Sequence, residues 1–371
     1  MKYLAVLGRQ PEISIAELEA TDFCTDIDRL GGTQKMAVRL EQKPLDYLQS
    51  LPEGKLTIGV SDYSKKASRK TAQLEALKLK KILVRHGRSV RVVENKDAVL
   101  STATSLHNGL SGKNERKVEL IKVDDDWYCV IGVQDIDAYA KRDQARPARD
   151  AKVGMLPPKL AQILINLCGI LPEGSVILDP FCGTGVVLQE ALLMGYRAYG
   201  TDIDEKMIEY ATRNLKWLFS SRSRSRPSSR GSLRQAPRWS QCSEKIHFQI
   251  SKGDATTFQW EQPVMAVACE GYLGKPFSTI PTEMELKEQK QECQGIILGF
   301  LKNLAGQIRT DTPVVIAGPA WLREGGKYER LNILDEIDKL GYNVNNKTRE
   351  GLLYHRDGQV VARDILILRK K

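Results

Sequence analysis

Two short strands that end in acids carry the chemistry this chain can be read for. The apolar run Val176-Ile177-Leu178 leads into Asp179-Pro180-Phe181-Cys182-Gly183-Thr184-Gly185, and a helical pattern begins at Val186. That order reads as strand, tight turn and helix start. Gly183 and Gly185 carry no Cβ, so the backbone there can approach a ligand closely. A second short strand, Ala198-Tyr199-Gly200-Thr201, ends in Asp202-Ile203-Asp204. An acid at such a strand tip suits the hydroxyls of a ribose. Asp202 is the candidate, because Asp204 fits as the N-cap of the helix that follows. The Gly-x-Gly-x-x-Gly spacing of dinucleotide-binding turns is absent here.

The elements that position these acids belong to a long chain. At 371 residues two or three domains are expected. A hydrophobic content of 42% is ordinary and supports real cores. No apolar run reaches the roughly 18–20 residues that span a bilayer. The N-terminal Met1-Lys2-Tyr3-Leu4-Ala5-Val6-Leu7-Gly8 reads as a first strand, too short and too soon polar for a secretory signal. Seven scattered cysteines without a Cys-x-x-Cys pair suggest reduced cytosolic thiols, and no His stands near a Cys at metal spacing, so no metal site is expected. The net charge of +10 is compatible with a polyanionic partner. Ten Lys or Arg against the single acid Glu75 lie between Lys65 and Arg91, and a second basic block runs from Arg222 to Arg238.

Residues 1–54 alternate short strand and helix patterns and read as a small α+β unit. Ser14 stands as a helix N-cap there, with Glu17 at capping-box spacing. In 55–140 a strand at Leu56–Ser61 precedes a basic helix from about Ser68 to His86, whose core face is Ala72, Ala76, Leu79 and Leu83. Val118–Val123 and Trp127–Val133 form a hairpin. A polar connector spans 141–150, and Pro157-Pro158 opens the first helix of a large domain, 151–371. The Arg- and Ser-rich stretch 220–244 cannot bury a core and reads as a disordered insertion. Val264–Cys269 and Pro313–Ala317 are unbroken apolar runs, as in buried parallel strands. Thr282–Ile308 and Tyr328–Leu340 read as helices. Gly351–Tyr354 and Val360–Leu368 form a hairpin at the sheet edge.

The turn Asp179-Pro180-Phe181-Cys182-Gly183-Thr184-Gly185 resembles motif I of class I S-adenosylmethionine-dependent methyltransferases, particularly those acting on exocyclic amino groups of nucleobases. Gly59-Val60-Ser61-Asp62-Tyr63 and Gln134–Tyr139, leading into Arg142-Asp143, resemble a THUMP domain with the ferredoxin-like unit that often precedes it. With Arg146-Pro147 and the run Ala151–Leu167, nearly the whole chain resembles THUMP-containing tRNA guanosine N2-methyltransferases that act at position 10.

That resemblance implies an α/β class I methyltransferase fold, a Rossmann-like doubly wound sheet with a terminal β-hairpin, preceded by an α+β ferredoxin-like and THUMP RNA-binding module. It implies S-adenosyl-L-methionine as cofactor, tRNA as partner, a cytoplasmic location and no membrane, and it leaves the need for a small activator subunit open. Asp179, Phe181, Gly183, Thr184 and Gly185 would line the cofactor, Asp202 would hold its ribose, and Asp254 would accept from its adenine amino group. At the fourth strand end the family carries Asp or Asn, two prolines and an aromatic. This chain has Glu270-Gly271-Tyr272 instead. Glu270 supplies the acid and Tyr272 the stacking face, with both prolines missing and the aromatic one position early. A longer acid either works in a reshaped pocket or misplaces the amine by about an ångström, which costs on the order of a hundredfold. Lys65, Lys66, Arg69 and Lys70 would meet RNA phosphates, although a solvated helix face explains the same charges. The alternatives are methylation of ribosomal RNA or DNA, and a tRNA-binding homologue that has lost turnover.

Overall fold

The computed structural model describes residues 1–150, 155–223 and 248–371. The stretch 220–244, read above as an insertion, lies almost wholly outside the described residues, as do Ala151–Gly154 of the domain opening. Among the described residues no helix is long and apolar enough to cross a membrane. The chain divides into two compact units, one of residues 1–11 and 24–140, the other of residues 12–23 and 141–371.

The first unit holds strands β1 (Tyr3–Leu7), β2 (Thr33–Arg39), β3 (Leu56–Asp62), β4 (Val90–Val92), β5 (Lys117–Val123) and β6 (Asp126–Val133). They form one sheet in the order β1-β2-β6-β5-β3-β4. Residues 1–54 and 55–140 therefore share a sheet, because β2 pairs antiparallel with β6. Parallel β3 and β4 need a crossover, and the helix Arg69–Arg85 supplies it. Ala72, Ala76, Leu79 and Leu83 are its buried face, and a capping box between Ser68 and Thr71 fixes its start. An ion pair between Lys35 and Glu119, 2.6 Å apart, is fully buried in this unit. Ser61 and Ser105 each donate to Glu119 at 2.6 Å, so the buried carboxylate is satisfied.

In the N-terminal segment of the second unit one expectation is corrected. The helix there, α1 (Pro11–Ala20), begins at Pro11, so Ser14 is an interior, buried residue and not an N-cap. Proline suits a first helical position. Glu17 is also buried, and accepts from Asn166 Nδ2 at 2.7 Å.

The remaining elements of the second unit are α2 (Pro158–Asn166), β7 (Val176–Asp179), α3 (Val186–Leu193), β8 (Arg197–Asp202), α4 (Glu205–Ser223), β9 (Phe248–Lys252), β10 (Ala266–Glu270), α5 (Glu283–Ala305), β11 (Pro313–Leu322), β12 (Tyr328–Arg330), α6 (Leu334–Lys339), β13 (Tyr342–Val344), α7 (Asn346–Glu350), β14 (Leu353–Tyr354) and β15 (Val361–Lys370). The main sheet runs β13-β15-β11-β10-β7-β8-β9. The five strands from β11 to β9 are parallel, and β15 is antiparallel to both its neighbours. This is the class I methyltransferase fold, a doubly wound sheet with a terminal antiparallel addition. Both faces are covered. Val267, Cys269, Val314 and Ile316 meet Ile297, Phe300 and Leu304 of α5 on one side, while Ala266, Ala268, Val315 and Ala317 meet Leu160 and Leu164 of α2 on the other.

One further reading changes. Tyr328–Arg330 is a strand paired with β11, and the helix expected over 328–340 starts only at Leu334. The hairpin of β14 and β15 lies at the sheet edge as expected, and β13 joins it there, pairing like β14 with β15 on the side away from β11.

Candidate functional site

Strand order reverses about β7, and in such sheets ligands bind beyond the carboxyl ends on either side of that point. A cavity of about 680 Å³ lies there, lined by Asp179, Asp202 and Glu270 from the ends of β7, β8 and β10. The turn after β7 is built from backbone bonds. Cys182 N donates to Thr201 O at 2.9 Å, Gly185 N to Cys182 O at 2.7 Å, and Gly183 N to Asp202 Oδ2 at 2.8 Å. Asn214, fully buried on α4, donates from Nδ2 to the Thr184 and Ala148 carbonyls, each at 2.9 Å.

The two glycines do different work. Both are left-handed, with φ of +48° at Gly183 and +81° at Gly185. A Cβ at Gly183 would meet nothing nearer than Phe181 O at 4.0 Å, and this residue lines the cavity. A Cβ at Gly185 would stand 3.1 Å from the Ala211 Cβ. Gly185 therefore lets α3 and α4 pack closely and is not a wall of the cavity.

Burial raises the pKa of all three strand-end acids. Asp179 is pushed well above the usual carboxylate range by desolvation, reinforced by the Asp202 and Glu270 charges and only partly offset by the Phe181 N–H. Asp202 is raised by burial, against the backbone N–H groups of Asp204 and Gly183. Glu270 is raised by burial and pulled back by the Arg363 guanidinium. Arg363, on β15, donates from Nε to Glu270 Oε1.

The segment after β10 explains the departure from two prolines. Gly271 N donates to Ala317 O at 3.0 Å and extends the β10–β11 ladder, a bond proline cannot make. A Cβ at Gly271 would also crowd Ile316 Cγ2 at 3.1 Å. Tyr272 lines the cavity, and its hydroxyl donates to Glu292 of α5 at 2.9 Å. Burial and the Glu292 carboxylate push that phenol up to about 12. Gln289 Oε1 accepts from Lys275 N at 2.7 Å, so α5 holds this segment at a second point.

Asp179, Phe181, Gly183, Thr184, Asp202, Glu270 and Tyr272 thus come together around one cavity. Asp254 does not line it: its Oδ1 accepts from Thr256 N at 2.9 Å and Thr256 Oγ1 at 2.7 Å, which turns the carboxylate back on its own loop. Lys65, Lys66, Arg69 and Lys70 belong to the first unit, at and before the start of its long helix, and Arg69 pairs with Glu94 at 3.0 Å. Arg363, Asn214 and Glu292 were not found from sequence. Each lies far along the chain from the residue it serves and carries no local motif.

The residues present fit S-adenosyl-L-methionine. Three acids against Arg363 and Lys275 leave the lining one acid in excess, which suits a sulfonium cation, the open side of Gly183 admits close approach, and Ile203 and Met207 give the cavity an apolar stretch beside Asp202.

Known proteins resemble parts of this chain. A family model described as DNA methylase matches residues 70–213. The chain is similar to the tRNA (guanine(10)-N2)-dimethyltransferase of Methanothermobacter thermautotrophicus, with 49% identity over 76 residues, which is 20% of this chain and 22% of that one. The enzyme of the same name from Pyrococcus abyssi is 50% identical over 62 residues, 17% of this chain and 18% of that one. The chain therefore spans about a fifth of the length of these curated relatives. Among solved structures, TrmN from Thermus thermophilus superimposes with a TM-score of 0.44 at 18% identity, over 91% of this chain and 84% of that chain.

Proposed function

We propose that this chain is an S-adenosylmethionine-dependent RNA methyltransferase that modifies an exocyclic amino group, N2 of a guanosine in tRNA. The observation that carries the reading is the convergence of Asp179, Asp202 and Glu270 with the Gly183 turn on one cavity. The similarity to enzymes named tRNA (guanine(10)-N2)-dimethyltransferases supports the choice of RNA and amine.

When bound, S-adenosylmethionine supplies an electrophilic methyl group on a sulfonium. Asp202 holds ribose hydroxyls while tying the glycine turn, and Asp179, Phe181, Gly183 and Thr184 form the wall on the donor's side. Tyr272 offers a face on which an extruded base stacks. Glu270 Oε2 accepts an N–H of the target amine and receives its proton, and the burial that raises its pKa suits that task. Alignment of the amine accounts for more of the rate than base strength does. The first unit holds the tRNA, as a THUMP-like domain over 55–140 after a ferredoxin-like stretch over 1–54, with Lys65, Lys66, Arg69 and Lys70 on phosphates. A cytoplasmic location goes with this reading.

A second reading is favoured by one observation: Glu270 is already engaged by Arg363. In that case the protein binds tRNA and donor without turnover. Incubation with methyl-labelled donor and unmodified tRNA transcripts, followed by nucleoside analysis, separates the two. Label in N2-methylated guanosine supports the enzyme, and Glu270→Ala should then abolish it with tRNA affinity unchanged. Binding of both ligands with no label in any RNA rejects the enzyme reading.

A further inference from the structure

Glu270 ends β10 and Arg363 is the third residue of β15, with β11 between them. In register, Glu270 stands opposite Ala317, and Arg363 stands opposite Pro319, two residues further along β11. Alternate residues share a face of a sheet, so Glu270, Ala317, Pro319 and Arg363 all lie on one face. Neighbouring strands are about 4.8 Å apart, and the two charged side chains must meet across the intervening strand. Only small side chains stand between them, and the extra methylene of Glu over Asp shortens the gap. Both line the cavity. Their side chains are 16% and 7% exposed, respectively, so the pair is largely withdrawn from water. Arg363 donates through Nε to Oε1, and it is the one hydrogen-bond partner of the Glu270 side chain among the described residues.

We propose that Arg363 is the positioning residue of this centre: by holding Oε1 it fixes the carboxylate in one orientation and leaves Oε2 as the acceptor for the target amine. The inference rests on the methyltransferase reading above and goes beyond it by explaining how Glu serves where an acid of that family is shorter. Arg363 touches neither the donor nor the reacting atoms in this role. Its planar guanidinium directs one N–H at Oε1, which a lysine ammonium replaces only as a point charge. The acids facing Glu270 are Asp179 on β7 and, beyond it, Asp202 on β8. Without Arg363 the three acids would share the cavity with Lys275 as the one cation left in its lining, and Glu270 would ionise at higher pH.

The test is steady-state methylation of a tRNA transcript by the full chain, with donor affinity measured by calorimetry. Arg363→Ala should lower kcat on the order of a hundredfold, leave donor affinity within about threefold, and move the acid limb of the kcat–pH profile upward. Arg363→Lys should restore the limb and part of kcat. Since Arg363→Ala strands a buried charge and can fail to fold, Glu270→Gln/Arg363→Met supplies a neutral pair, which should be no slower than Glu270→Gln alone. An unmoved acid limb, or additive losses in the double variant, would overturn the inference while wild-type activity keeps the methyltransferase reading. Absence of wild-type transfer to any RNA would overturn both.

Discussion

Asp202 Oδ2 accepts the Gly183 N–H at 2.8 Å, so the acid that ends β8 holds the turn that ends β7. Its other oxygen, Oδ1, accepts Asp204 N at 2.9 Å. One carboxylate thereby fixes both loops that flank the cavity. Hydrogen bonds to a charged group contribute about 1.5–3 kcal/mol each. We expect Asp202→Ala to weaken donor binding by tenfold or more in calorimetry, with a smaller loss for Asp202→Asn, which keeps one acceptor. Unchanged affinity in the alanine variant would remove Asp202 from the binding role.

The raised acids set a pH dependence with a definite sign. For Asp179, Asp202 and Glu270 the folded pKa lies above the ordinary carboxylate value, so the folded state binds more protons than the unfolded state in that window. Their contribution favours folding below the unfolded value and is lost as pH rises through the raised ones. Thermal melts from pH 5 to pH 8 should show Asp179→Asn gaining on wild type as pH rises. A difference that stays constant with pH would contradict the assignment.

Gly271 tests why glycine and not proline follows Glu270. Gly271→Pro removes the N–H bonded to Ala317 O and adds bulk beside Ile316. Denaturant unfolding should show a loss of about 1–3 kcal/mol. Stability equal to wild type would mean that the ladder bond contributes nothing.

The basic start of the first unit's helix makes a salt prediction. Arg69 is already paired with Glu94, so three of the four cations are expected to release counterions. Replacing Lys65, Lys66 and Lys70 by Ala should reduce the slope of log affinity for tRNA against log salt by roughly 2–3, measured by filter binding. A slope that does not change would leave these lysines as a solvated face.

What could be read from the sequence follows chain distance. The turn from Asp179 to Gly185 is local, and its glycines, acid and apolar flanks all lie within one strand–helix step. The buried face of Arg69–Arg85 is equally local, because helical periodicity alone marks Ala72, Ala76, Leu79 and Leu83. Asp254 looked like Asp202, an acid after a strand, yet Thr256 two residues on captures it. Arg363 is 93 residues from Glu270 and meets it only because β15 inserts beside β11. Tyr328–Arg330 carries no alternation long enough to mark a strand, and pairing with β11 decides its conformation. Local chemistry was legible; partners supplied by sheet order were not.

In the proposed reading the cavity beyond β7, β8 and β10 holds the sulfonium donor. Isothermal titration of S-adenosylmethionine into the folded wild-type chain tests it most directly. A saturable one-site isotherm that weakens in Asp202→Ala is expected, and a wild-type titration showing only heat of dilution would contradict donor binding in this cavity.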